Sequence, residues 1–154
     1  MKNKKSKMNN NLPNIAIGSD HAGFEQKEAV KFFVESLGYS VKDFGPYNAE
    51  SVDYPDYAHK VANDVLSEAN TLGILLCGSG NGVCLTANKH SGIRAALCWL
   101  PELGALARQH NNANILCLPA RYINNSTATE IVAAYLDASF EGGRHEKRVE
   151  KIDL

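Results

Sequence analysis

Cys77 closes an apolar run, LGILLC (72–77), and leads into GSGNG (78–82), where glycine holds three of five positions. A thiol at such a junction can do chemistry that a core cysteine cannot. Where a strand turns into a helix, small residues leave backbone N–H groups free to converge on one anion, and the helix terminus adds a positive field. That field also favours a cysteine in its thiolate form. A thiolate over an anion-binding loop suits two reactions: acyl transfer with sulfur as nucleophile, or removal of a proton from carbon with sulfur as base. The residues alone leave both open, beside a structural cysteine followed by a plain tight turn. Two phosphate-loop patterns are excluded. A GxGxxG beginning at Gly78 needs glycine where Val83 stands, and no Lys-Ser/Thr follows to complete a P-loop.

Other groups able to act lie at a distance in the chain. Asp20 and His21 sit in GSDHAGF (18–24), where Asp20 reads as a helix cap and His21 as solvated. RQHNN (108–112) holds His110 and Asn111 near the end of an expected helix, where a histidine also complements the helix dipole. Arg144 and Arg148 are spaced i, i+4, so a helix would present both on one face, able to clamp a phosphate. Glu141, Glu146 and Glu150 nearby equally suit a solvated ion-pair face. His59 and His90 have no constellation around them and read as surface residues. Cys84, Cys98 and Cys117 read as core; the chain has no CxxC pair and no Cys/His spacing that suggests zinc, so no metal is expected.

The elements that must position these groups follow from periodicity. Strand-like runs at NIAIG (14–18), SVKDF (40–44), LGILLC (72–77), IRAALC (93–98) and NILCL (114–118) alternate with helix-period segments. Val30, Phe33, Val34 and Leu37 mark one helix face; Ala58, Val61, Ala62 and Val65 mark the next, after Pro55. Further helices are expected near 82–90, from Pro101, and over the stripe of Ile131, Val132, Tyr135 and Leu136, with Thr127 and Glu130 at capping-box spacing. Five strands alternating with helices predict an α/β protein: a three-layer α/β/α, doubly wound, five-stranded parallel sheet, Rossmann- or flavodoxin-like, in order 2-1-3-4-5. In such a sheet ligands sit beyond the carboxyl ends of the strands at the switch point, here between strands one and three. The segments leaving those strands are GSDHAGF and CGSGNG, so the two are expected side by side.

At 154 residues, with 44% hydrophobic and 21% charged residues, the chain fits one domain over 13–154 after an expected disordered tail at 1–12. A formal net charge of -1 offers no field for nucleic acid, and no apolar run reaches the length of a membrane span. The basic, Asn-rich opening has no apolar region behind it and does not read as a signal peptide, so a reducing cytoplasm without disulfides is expected.

Six motifs in order, GSDHAGF (18–24), DYPDYA (53–58), CGSGNG (77–82), ANKHSGIRAA (87–96), RQHNNAN (108–114) and EGGRHEKRV (141–149), resemble the type B ribose-5-phosphate isomerases, in the family that also holds allose- and galactose-6-phosphate isomerases. The resemblance runs from about Ile15 to Ile152. It implies a cofactor-free aldose–ketose isomerase of the pentose phosphate pathway, interconverting ribose 5-phosphate and ribulose 5-phosphate through an enediolate. Cys77 matches the family's base, the amides of Gly78, Ser79, Gly80, Asn81 and Gly82 its anion hole, and the Ser79 hydroxyl the group that assists at the substrate oxygens. His110 matches the acid that opens the sugar ring. Asp20, His21, Asn111, Arg121, Arg144 and Arg148 match substrate-binding positions. The resemblance further implies a homodimer or tetramer with sites shared between subunits. One branch of the family carries a glutamate base directly after GSGNG; Val83 stands there, which indicates the cysteine branch. A hexose 6-phosphate isomerase and a non-catalytic phosphosugar-binding module are the alternatives. Cys77 and His110 speak against the second, because a pure binder needs neither.

Overall fold

In the computed structural model, which describes residues 11–154, each of the five apolar runs becomes a strand. The expected tail falls almost wholly on residues 1–10, outside the described residues. The strands are β1 (Asn14–Ser19), β2 (Val41–Asp43), β3 (Thr71–Cys77), β4 (Ala95–Leu97) and β5 (Ile115–Pro119). Between them run helices α1 (Phe24–Ser36), α2 (Tyr54–Ser67), α3 (Asn81–Ala87) and α4 (Pro101–Asn111); α5 (Asn125–Asp137) follows β5, and a 3-10 turn (Gly143–His145) leads into the short α6 (Glu146–Glu150). Every pairing is parallel, with Ile15 opposite Val41 and Leu72, and Leu75 opposite Cys117.

The three-layer α/β/α sheet is as expected; the order of its last two strands is not. The sheet runs β2-β1-β3-β5-β4, not 2-1-3-4-5. Burial explains the exchange. β5 is buried along its whole length and belongs inside the sheet, whereas β4 has three residues, all partly exposed, as befits an edge. The switch point between β1 and β3 is untouched by this change.

Alternation along the strands builds two cores. Ile15, Ile17, Ile74, Leu76, Leu116 and Leu118 face α1, α4 and α5. Ala16, Leu75, Cys77, Ile115 and Cys117 face α2 and α3. Cys77 therefore ends its strand on the α2/α3 side. Pro55 and Pro101 stand in the first turns of α2 and α4, where a missing N–H costs nothing. α5 is capped by Asn124, whose side chain accepts from the Thr127 N–H at 2.8 Å. The expected Thr127–Glu130 capping box is thereby displaced three residues upstream to a better capping residue. No helix among the described residues is long and apolar enough to cross a membrane.

Candidate active site

The carboxyl ends of β1, β3 and β5 meet in a cleft of about 410 Å³, with Cys77 among its lining residues. Cys77 is only 4% exposed, and its carbonyl accepts from the Ala120 N–H at 2.9 Å. The next carbonyl, of Gly78, accepts from the Arg121 N–H at 3.0 Å. That clamp lays the Arg121 side chain over Gly78: a Cβ there would lie 3.1 Å from Nη1. A guanidinium thus lies across the mouth of the glycine loop.

The loop itself is shaped by close approaches. Gly80, the N-cap of α3, has φ +76°, and a Cβ on it would run into Leu97 and the β5 backbone. At Gly82 a Cβ would meet the Tyr54 ring at 2.6 Å, so that ring forms a wall directly over the first turn of α3. The Ser79 hydroxyl accepts from the Asn81 N–H at 3.3 Å, while the N–H groups of Gly82 and Val83 have no partner within the helix by its geometry. The stretch is a donor-rich rim beside a thiol.

Asp20 and His21 come in from β1. The Asp20 N–H donates to the Leu76 carbonyl at 3.2 Å, and its carboxylate, 8% exposed, accepts from the Gly23 N–H at 3.0 Å. His21 Nδ1 lies 3.2 Å from the Val52 nitrogen and 3.3 Å from its oxygen, which ties the ring to the loop before α2. The solvated histidine expected from the sequence is in fact a fastener. The same loop is held lower down by a buried ion pair: Lys27, fully buried, reaches Asp43 at 2.7 Å, and Asp43 accepts from the Gly45 N–H at 2.8 Å.

His110, Asn111, Arg144 and Arg148 are not in this cleft. α4 carries the chain back from the carboxyl edge to the amino edge of the sheet, so its last turn lies at the opposite end of the strands. A strand of five or six residues spans about 17–20 Å, beyond the reach of any side chain. At that far edge the Glu141 N–H donates to the Gln109 carbonyl at 3.0 Å and docks the C-terminal segment on α4. His110 and His145 stack with centroids 4.3 Å apart and planes 12° apart, and Glu141 Oε1 lies 3.7 Å from Nε2 of each. Arg144 is in the 3-10 turn and Arg148 in α6, not in one α-helix as the i, i+4 spacing suggested. Both are exposed, and neither has a carboxylate within 4 Å among the described residues.

Reading the sequence missed several features. Tyr54, Glu141 and His145 lie inside quoted motifs, yet nothing in their spacing marks them. His59 Nδ1 lies 2.7 Å from His90 Nε2, so these two histidines, expected to stand alone, form a pair across α2 and α3. Partial burial and then His59 hold the His90 pKa below its ordinary value. His145 is lowered as well, by desolvation first and then by His110 and Arg144. His110, Glu141 and His145 offer ligand atoms within 4.8 Å of one another, a donor set a transition metal could use. The near-parallel rings, however, do not aim their nitrogens at a common point.

The family model described as Ribose/Galactose Isomerase matches residues 15–152. Among solved structures, a ribose 5-phosphate isomerase from Thermotoga maritima is 55% identical, with a TM-score of 0.89 over 92% of this chain and 97% of that one. The ribose-5-phosphate isomerase B of Mycoplasma genitalium, solved with bound ribulose-5-phosphate, is 45% identical, with a TM-score of 0.86 over 90% and 93%. The ribose-5-phosphate isomerase B of Escherichia coli K12 is 43% identical over 92% of this chain and 95% of its own length.

Proposed function

The chain belongs to the ribose/galactose isomerase family, and on that premise we propose that it interconverts ribose 5-phosphate and ribulose 5-phosphate, with Cys77 as base and His110 as the acid that opens the ring. The observation that carries this reading is the Cys77 thiol at a cleft rimmed by glycine-loop N–H groups, with Arg121 across its mouth. His110 gives a proton to the ring oxygen as the C1–O bond breaks, and the C1 hydroxyl releases its proton to water. Cys77 as thiolate takes the proton from C2 of the open-chain aldose, the O2 hydroxyl proton passes to O1 across the enediolate, and Cys77 returns its proton at C1 as the C2 carbonyl forms. The charge that develops on the two oxygens of the enediolate is met by the loop N–H groups, with the Ser79 hydroxyl beside them. Asp20, His21, Asn111, Arg121, Arg144 and Arg148 hold the sugar and its phosphate.

The separation of the two edges supports a site shared between two copies, in which His110, Asn111, Arg144 and Arg148 of one chain serve the cleft of its neighbour. Leu85 and Tyr122 at the cleft, and Trp99 beside it, are exposed by half or more, an apolar rim that a second copy can cover.

Two variants separate the roles. Exchange of solvent deuterium into C1 of ribulose 5-phosphate, which is open-chain, needs the base and the anion hole but no ring-opening acid. Cys77→Ala should lose exchange and turnover together, by about 100- to 10,000-fold. His110→Ala should keep exchange and lose turnover of ribose 5-phosphate. A folded Cys77→Ala protein with near-normal exchange removes the base assignment, and faster turnover of allose 6-phosphate than of ribose 5-phosphate removes the pentose assignment.

A further inference from the structure

We propose that His59 and His90 form a binding site for a divalent transition-metal ion that prefers imidazole, such as Zn2+ or Ni2+, and that the ion clasps α2 to the turn after α3. Neither histidine lines the cleft of Cys77, so the site stands apart from the reaction assigned above.

The two rings come from segments 31 residues apart, yet His59 Nδ1 lies 2.7 Å from His90 Nε2. Among the described residues neither ring has another hydrogen-bond or ion-pair partner. Both are placed by firm backbone. α2 is seated by its buried face of Ala58, Val61, Ala62 and Val65, and His59 projects from that helix into solvent. His90 is tied on both sides: its N–H donates to the Ala87 carbonyl and its carbonyl accepts from the Ile93 N–H, each at 3.1 Å. The donor atoms are thus brought together before any ion arrives, which removes much of the ordering cost of binding.

Imidazole nitrogens that share a metal at about 2.0–2.1 Å each stand about 2.9–3.3 Å apart. The present 2.7 Å falls short of that by a few tenths of an ångström, which a turn of the exposed His59 ring supplies. The two rings cross at 60°, edge to face, with centroids 4.9 Å apart. Crossed rings can bring their lone pairs to one point by such a turn, whereas the His110 and His145 rings, 12° from parallel, cannot. Each neutral ring keeps one N–H. The hydrogen now between the rings moves to the far nitrogen of its own ring, both near nitrogens then offer lone pairs, and no net proton is lost. Burial and then His59 hold the His90 pKa below its ordinary value, which keeps its nitrogen available at neutral pH. Asp56, three residues before His59 on the same face of α2, adds negative charge and has no ion-pair partner among the described residues. Lys60 is turned away over the Tyr57 ring, 5.3 Å from its centroid. No third protein donor joins the pair among the described residues, so water completes the coordination. An ion held there would fasten together the helices whose first turns carry Tyr54 and Gly82, both lining the cleft.

The test adds Ni2+ to the full, untagged chain and follows the histidine ring resonances by NMR, each assigned by its absence in an alanine variant. The paramagnetic ion should broaden His59 and His90 first and together, ahead of His21, His110 and His145. By calorimetry, His59→Ala and His90→Ala should each weaken this binding at least about tenfold, a loss that even a group hydrogen-bonded to a metal ligand can cause. Ni2+ should raise the melting temperature of wild type and of His145→Ala, and leave those of His59→Ala and His90→Ala unchanged. Mg2+, which seeks oxygen ligands, should neither broaden the pair nor raise the melting temperature. Broadening of His110 and His145 ahead of the pair, or loss of the melting shift in His145→Ala, would place the ion in that other cluster and overturn the proposal. Binding at wild-type strength in both His59→Ala and His90→Ala, or an equal shift with Mg2+, would overturn it as well.

Discussion

Four thiols lie on or near one end of this sheet, and their surroundings divide them. Cys98 is pushed up to about 12 by burial, and Cys117, wholly buried, is raised well above the ordinary thiol range. Cys84 is only half-buried and is lowered by the hydrogen bond from Cys117. A small thiol reagent at neutral pH should therefore label Cys84, reach Cys77 through the cleft it lines, and leave Cys98 and Cys117 untouched in the folded protein. Ribose 5-phosphate should protect Cys77 alone, and mass spectrometry of the labelled peptides checks both statements. Labelling of Cys98 or Cys117 at a comparable rate would mean the sheet opens more readily than its packing implies. The place of Cys77 at the cleft was legible in the sequence because an apolar run ending in a thiol and three glycines is a local signal. The cluster that Glu141 and His145 form with His110 was not legible, because those contacts exist only once the C-terminal segment docks on α4. The same holds for His59 and His90, which meet across two helices.

At the level of elements, the loop from β3 to α3 does two jobs with two glycines. Gly80 needs its left-handed backbone, which costs any other L-residue roughly 1–2 kcal/mol, and it also abuts Leu97 and the β5 backbone. Gly80→Ala should lower stability by at least that amount in urea denaturation and cost activity with it. At Gly82 the obstacle is the Tyr54 ring, which is 40% exposed and free to swing outward. Gly82→Ala should leave stability nearly unchanged and raise KM by opening the wall of the cleft. Equal destabilisation by the two would show that Tyr54 is fixed. Strand identities were readable because each run carries its own apolar period. Strand order was not: it depends on which of two late runs is buried on both faces, and IRAALC looked as apolar as NILCL until β4 proved to be three partly exposed residues.

For the whole molecule, the roles proposed for Cys77 and His110 raise the question of how residues at both edges of a sheet make one site. Under the shared-site reading, Cys77→Ala and His110→Ala chains are each inactive on ribose 5-phosphate, and a mixed pair has one site with both groups and one with neither. Refolded together in equal amounts, half the pairs are mixed, so roughly a quarter of wild-type activity should return. No recovery despite verified exchange of subunits would place both groups in one chain by some rearrangement of α4. The fold class and the switch point were legible from the sequence because strand–helix alternation implies them; the separation of His110 from Cys77 follows from the direction of α4, which places His110 at the amino ends of the strands. A consequence concerns concentration. A solitary chain would hold two half-sites and no whole one, so catalytic power would belong to the encounter and not to the polypeptide. Diluted below the point where pairs persist, every chain would remain folded and still fall silent, and the rate per chain would rise with the amount of protein until pairing was complete.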